Sequence, residues 1–299
     1  MMKYAYLAAV IGFCVALAFS ATGASALDLG DVLMKGLEKK DAIIKTSKAL
    51  RKGFTDLTDE EEYYIGRSVA AKILSDYKSV DDKALTDYIN TVGQTLARFS
   101  SRPETFAGYH FLLIKSGETN AFAAPGGFIF ITTGLYSKLK NEEQLACVLA
   151  HEISHVTLKH GLGAIKSSRL TEAFTILGTE AVKEYSPSQL ASLTTAFEGT
   201  IDDIVNKMVV NGYSRSQEFD ADEEAVKVAY KAGYNPAGLA EFLGTLAEES
   251  KGDEGAGFNK THPPAADRKA NTEKIIKSKK LEGEDDPVRI RRFSKYAAK

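Results

Sequence analysis

The chain has 299 residues, 44% hydrophobic and 26% charged, with a formal net charge of -2. That balance excludes a disordered tail protein, a collagen-like repeat, a polytopic membrane protein and a polycation built for nucleic acid. Two cysteines exclude a disulfide scaffold and a cysteine-rich metal module.

Met1 to Ala26 reads as a secretory signal peptide. Lys3 supplies the positive start, Tyr6 to Phe19 is an apolar run broken by Gly12, and Ala24-Ser25-Ala26 is a small-x-small cleavage site. The expected mature chain starts at Leu27 in a periplasm-like compartment. The alternatives are an uncleaved anchor facing the periplasm and a lipid on Cys14, although Phe13 precedes Cys14 where a small residue is required. Cys147 is then the one cysteine of the mature chain, without an internal disulfide. No later stretch is long and apolar enough to span a bilayer.

Residues 27–57 read as an amphipathic helical extension. Thr58 to Tyr77 has helical spacing. Asp81 to Phe99 is a second helix, with Leu85, Tyr88, Ile89, Val92 and Leu96 on one face. His110 to Lys115 and Gly127 to Thr132 read as strands, and Asn120 to Gly127 between them as a turn-rich connection. Asn141-x-x-Gln144 has capping-box form and opens a helix reaching about His160, with Gly161 as its terminator. Ser186-Pro187 starts a helix towards Gly212. Ser214-x-x-Gln217 is a second capping-box pattern and opens a helix that ends near Gly233; Asn235-Pro236 starts another. Ser250 to Lys260 is a Gly- and charge-rich loop. From Arg268 to Lys299 there are 11 Lys/Arg against 5 Asp/Glu. This basic tail is read as a solvated segment, or as a contact for an anionic partner.

His151-Glu152-Ile153-Ser154-His155 carries the chemistry. Histidines at i and i+4 present both imidazoles on one helix face, which suits two ligands of one tetrahedral zinc ion. Glu152 is rotated about 100° from His151, so it can sit beside a metal and act as a general base. A helix this apolar (Leu145, Val148, Leu149, Val156) has little reason to carry His, Glu and His unless they are used. A third ligand is needed. The helix opened by Ser214 offers Glu218, with Asp222 one turn on, able to accept the spare N–H of a ligand histidine. An ordinary acidic helix face, with Asp220, Glu223 and Glu224, is the alternative for that segment. His110 and His160 read as structural, and Cys147 as a core residue.

With those residues in view, the chain resembles the gluzincin metallopeptidases, and within them metallopeptidase family forty-eight, over roughly Thr58 to Lys274. Four segments carry the resemblance: Asn120-Ala-Phe-Ala-Ala-Pro-Gly-Gly127 with the strand after it, His151 to His155, Ser214-Arg-Ser-Gln-Glu-Phe-Asp-Ala-Asp222, and Thr261-His262-Pro263 followed by Arg268. The resemblance implies zinc-dependent endoproteolysis with one Zn2+ per chain. His151, His155 and Glu218 would be the ligands, Glu152 the base and Asp222 the partner behind a ligand. It implies that Gly126 to Thr132 is an edge strand lining the cleft. Asn120, Gly126, Gly127, Phe128 and Ile129 would then bind an extended substrate through its main chain. His262 is either a fourth zinc ligand that makes the enzyme latent, a cleft residue or a surface turn; Arg268 either anchors that segment or faces the cleft. No oxyanion-stabilising residue is assigned. Integral members of the family have several membrane spans and others carry C-terminal helical repeats; neither pattern is present here.

The expected fold is α+β, a mostly helical single domain with a small sheet. Its expected layout is 1–26 signal peptide, 27–57 extension, 58–274 metallopeptidase domain and 275–299 basic tail. The expected function is cleavage of exposed segments in unfolded, misfolded or misassembled envelope proteins, with no nucleic-acid partner. The rival expectation is a non-cleaving zinc protein that binds clients as a chaperone does. Casein cleavage lost in Glu152→Gln separates the two.

Overall fold

The computed structural model describes residues 58–164, 187–249 and 264–297. The signal segment, residues 27–57, the Ser250–Lys260 loop and His262 lie outside the described residues. Contacts divide the chain into two compact units. Among the described residues the smaller holds 58–62, 162–164 and 187–204, and the larger holds 63–161 and 205–297. The architecture is α+β and mostly helical, and the larger unit holds both the sheet and the candidate site. In chain order the main elements are α1 (Asp59–Asp76), α2 (Lys83–Ala97), β1 (His110–Ile114), β2 (Ala121–Ala124), β3 (Phe128–Thr132), α3 (Glu142–Thr157), α4 (Pro187–Val205), α5 (Arg215–Lys231), α6 (Ala237–Glu249), α7 (Ala265–Lys279) and α8 (Pro287–Ser294). No helix among the described residues is long and apolar enough to cross a membrane.

The sheet has the order β1-β3-β2. β1 runs parallel to β3, with His110 opposite Phe128, and β2 runs antiparallel to it, with Ala124 opposite Phe128. This corrects two expectations. The Asn120–Gly127 connection contains a strand, which alanine-rich composition hides because alanine has little strand preference of its own. The strand carrying Phe128 and Ile129 is central rather than an edge, since β2 folds back on it through a tight turn. That turn needs its glycines: Gly126 has φ 73° and Gly127 φ 97°, a region other residues enter at a cost. On this side of the sheet the outer strand among the described residues is β2.

α3 is the core helix. Every residue from Glu142 to Val156 is buried, and α2, β2, α5, α6 and α8 pack around it. A helix buried on all sides keeps polar groups only where they are paired or used. Its start is capped by Asn141, whose Oδ1 accepts from the Gln144 amide at 2.8 Å; the Gln144 Oε1 accepts from Lys140 rather than from the cap residue, at 3.0 Å. The buried acids of its first turn are paired with α8. Arg292 donates through Nε to Glu142 at 2.7 Å, and Arg289 donates to both oxygens of Glu143 at 3.0 and 3.1 Å. Arg289 also lies over the Tyr234 ring at 4.2 Å. These two arginines of the basic tail are therefore intramolecular partners, Arg292 while keeping 44% of its side chain exposed. The sequence hides this because the acids they meet lie far upstream.

α3 ends at Thr157 rather than near His160. The terminator is Lys159, with φ 55°, not Gly161.

Candidate metal centre

Two helices supply the site. α3 presents His151 and His155 on one face, and α5 presents Glu218 from its first turn. α5 is fixed by a complete capping box: the Ser214 side chain accepts from the Gln217 amide, and the Gln217 side chain accepts from Ser214 N at 3.1 Å. Near the other end of α5, Gly233 leaves in the left-handed region at φ 81°.

The His151 and His155 Nε2 atoms are 3.1 Å apart. Glu218 Oε2 lies 3.5 Å from His151 Nε2, and Glu218 Oε1 lies 3.4 Å from His155 Nε2. A tetrahedral zinc ion with bonds of about 2.0–2.1 Å spaces its ligand atoms by about 3.3 Å. The three donors form a triangle of that size, all buried, and of the right chemistry. They could hold one metal ion.

The surroundings of each donor are specific. His151 Nδ1 lies 3.0 Å from Asp222 Oδ1. Burial and the Arg268 charge act to lower the His151 pKa, but the hydrogen bonds that Asp222 and Glu218 accept from it outweigh both and raise it to about 9. The carboxylates that favour a proton on His151 also favour a cation among these donors. His155 behaves oppositely: burial brings it down to about 3 against the pull of Glu218, leaving a neutral imidazole, the form that ligates metal. Tyr213, just before α5, stacks on the His155 ring at 4.2 Å and 18°.

Glu152 is 2% exposed. Among the described residues its Oε1 has no hydrogen-bond donor. Burial is the largest influence on it and raises its pKa to about 7, with His151 lowering and Glu218 raising it in turn. A buried carboxylate with an unmet acceptor and a pKa near neutrality is suited to receive and return a proton.

Arg268, on α7, is fully buried. Its Nε donates to Asp222 Oδ2 at 2.8 Å and its Nη2 to Asp222 Oδ1 at 2.6 Å. Its Nη1 lies 2.9 Å from Glu218 Oε2. Burial raises the Asp222 pKa, but the Arg268 charge and hydrogen bonds prevail and hold it below the usual range. Arg268 has no accessible surface of its own. It braces the Asp222 and Glu218 carboxylates, and its Nη2 also lies 3.3 Å from the His151 ring nitrogens.

The other candidates lie in or beside the β2–β3 hairpin. Asn120 is buried and accepts, through its main chain, from the Thr132 amide at 3.0 Å. Gly126 and Gly127 form the turn. Phe128 stacks on His110 at 5.2 Å, and Ile129 is in the core. A side chain on Gly161 would come within 3.4 Å of Pro125 and 3.7 Å of the Tyr213 hydroxyl, so this turn lies beside the end of α3 and the tyrosine that stacks on His155. All four residues of β2 are buried, so strand addition at the corrected edge requires that edge to be uncovered first. Cys147 donates to the Asn235 carbonyl, with S···O 3.5 Å, and its thiol pKa is raised by burial; it is a core residue.

Two neighbours of the donors escape a reading by motif. Tyr213 could have been suspected only from its place next to Ser214. His160 Nδ1 lies 2.8 Å from His155 Nδ1, although its spacing from His155 does not suit one helix face.

Comparison with known proteins agrees with this geometry. The sequence model of Peptidase family M48 matches residues 83–276. The chain is 30% identical over 195 residues to the Beta-barrel assembly-enhancing protease of Escherichia coli (strain K12), a match covering 64% of this chain and 38% of that relative. It is 26% identical over 247 residues to Metalloprotease LoiP of the same organism, covering 83% of this chain and 88% of the relative. It is 24% identical over 226 residues to Mitochondrial metalloendopeptidase OMA1 of Schizosaccharomyces pombe, covering 73% and 62%.

Proposed function

The chain belongs to peptidase family M48, and from that premise we propose that it is a zinc-dependent metalloendopeptidase. Its substrates are exposed segments of misfolded or misassembled envelope proteins, met in a periplasm-like compartment after export by the Met1–Ala26 signal. The observation that carries this reading is the buried triangle of His151, His155 and Glu218 at 3.1, 3.5 and 3.4 Å, with a buried Glu152 oxygen that has no hydrogen-bond partner among the described residues. The name of the Escherichia coli relative, an assembly-enhancing protease, supports the substrate class.

When bound, zinc supplies Lewis acidity towards a scissile carbonyl and towards water. The chain's own residues do the rest. His151, His155 and Glu218 hold the ion. Asp222 accepts the Nδ1–H of His151 and so keeps Nε2 free to ligate. Arg268 holds Asp222 in its ionised form and pairs with Glu218. Glu152 takes a proton from the attacking water and delivers it to the amine nitrogen that leaves.

Casein hydrolysis by the purified protein tests the reading. Cleavage is expected to stop on chelation and to return with zinc. The pH profile carries a sign. Glu152 must be ionised to act as base, and its pKa is raised by burial, so activity is lost as pH falls. A bound cation draws that pKa down, which places the acid limb of kcat/KM at or below about pH 7, with about a tenfold loss per pH unit beneath it. A profile flat down to about pH 4 contradicts Glu152 as base.

A further inference from the structure

We propose that His160 is a positioning residue of the metal centre: its Nδ1 accepts the Nδ1–H of His155, and so holds the His155 Nε2 towards His151 and Glu218. This rests on the ligand set proposed above and extends it by one residue.

The two Nδ1 atoms are 2.8 Å apart. One must donate and the other accept. His155 Nε2 faces His151 Nε2 and Glu218 Oε1, so its lone pair lies on the side of the donor triangle and its proton is on Nδ1. His160 Nδ1 is then the acceptor, and its own proton is on Nε2. Each ligand histidine thus has its outer nitrogen held, His151 by Asp222 at 3.0 Å and His155 by His160.

The backbone is shaped to make this contact. A regular helix would carry His160 about 140° around the axis from His155, too far round to reach it. Instead α3 stops at Thr157, and Lys159 takes the left-handed conformation, φ 55°, which is uncommon for a residue other than glycine. The chain doubles back, and the His160 amide donates to the His155 carbonyl at 3.0 Å. The same left-handed ending closes α7 at Lys280, so the turn is a common way to end a helix; what is particular here is that it brings His160 Nδ1 to 2.8 Å from His155 Nδ1.

The experiment is zinc affinity, measured by competition with a chromogenic chelator, on wild type, His160→Leu and His160→Asn. Asparagine places Oδ1 where histidine has Nδ1, so it keeps an acceptor; leucine fills space without one. His160→Leu is expected to bind zinc about 10–100-fold more weakly. His160→Asn is expected to recover affinity to within about threefold of wild type, and its cobalt-substituted form to keep the wild-type visible spectrum while that of His160→Leu changes. Packing alone predicts that asparagine, being smaller and polar, fares no better than leucine. Wild-type affinity in His160→Leu, or equal losses in both variants, overturns the proposal. Wild type that binds no zinc overturns the ligand set itself, and the role of His160 with it.

Discussion

Glu152→Gln is expected to lower kcat/KM for casein by about 10²–10⁴-fold while leaving zinc bound at one ion per chain. Glutamine keeps the size and the buried position of the side chain but cannot accept a proton at neutral pH. Glu152 is not one of the three donors in the triangle, so metal affinity stays close to that of wild type. The two readouts together discriminate: loss of cleavage with loss of zinc makes Glu152 part of the metal's own support, whereas loss of cleavage alone makes it the proton carrier. Bound zinc with no cleavage even in wild type leads instead to a client-binding protein.

Arg268→Met is expected to be the most destabilising single change in the site. Asp222 and Glu218 are fully buried, and Arg268 faces both, at 2.6 and 2.8 Å from Asp222 and 2.9 Å from Glu218. Methionine fills much of the space but leaves two carboxylates without their cation. Breaking a buried pair in this way costs about 3–5 kcal/mol, or about 6–20 °C in the Tm of a protein of this size. The measurement is thermal unfolding of the metal-free protein. Adding Asp222→Asn to Arg268→Met is expected to recover part of the loss, because one uncompensated charge is removed with its partner. Lysine is a poor replacement, since a single ammonium cannot match the two-point contact with Asp222. A Tm unchanged in Arg268→Met contradicts the bracing role.

The parts of this site that were legible in the sequence are those set by local geometry. His151, Glu152 and His155 are neighbours on one helix, and Glu218 and Asp222 share the face of another whose start is marked by Ser214 and Gln217. Helical spacing and capping act over one or two turns, so the residues announce themselves. What was not legible depends on partners distant in sequence. Arg268 lies on a third helix, and nothing around it in the sequence says that its charge is met by Asp222 and Glu218 on α5. The alanines of β2 become a strand only because β3 offers them a pairing edge, and the same pairing makes β3 central. Arg289 and Arg292 look like tail charges until Glu142 and Glu143 are seen buried beneath α8. His160 was hidden by a single backbone exception at Lys159, where a glycine two residues later looked like the natural place for the helix to stop.

The most direct test is X-ray anomalous diffraction at the zinc edge, on crystals of the wild-type protein grown with zinc. One strong peak per chain is expected, bounded by His151 Nε2, His155 Nε2 and the Glu218 carboxylate at about 2.0–2.2 Å. A peak placed elsewhere, or none among these three donors, contradicts the metal centre on which the proposed proteolysis depends.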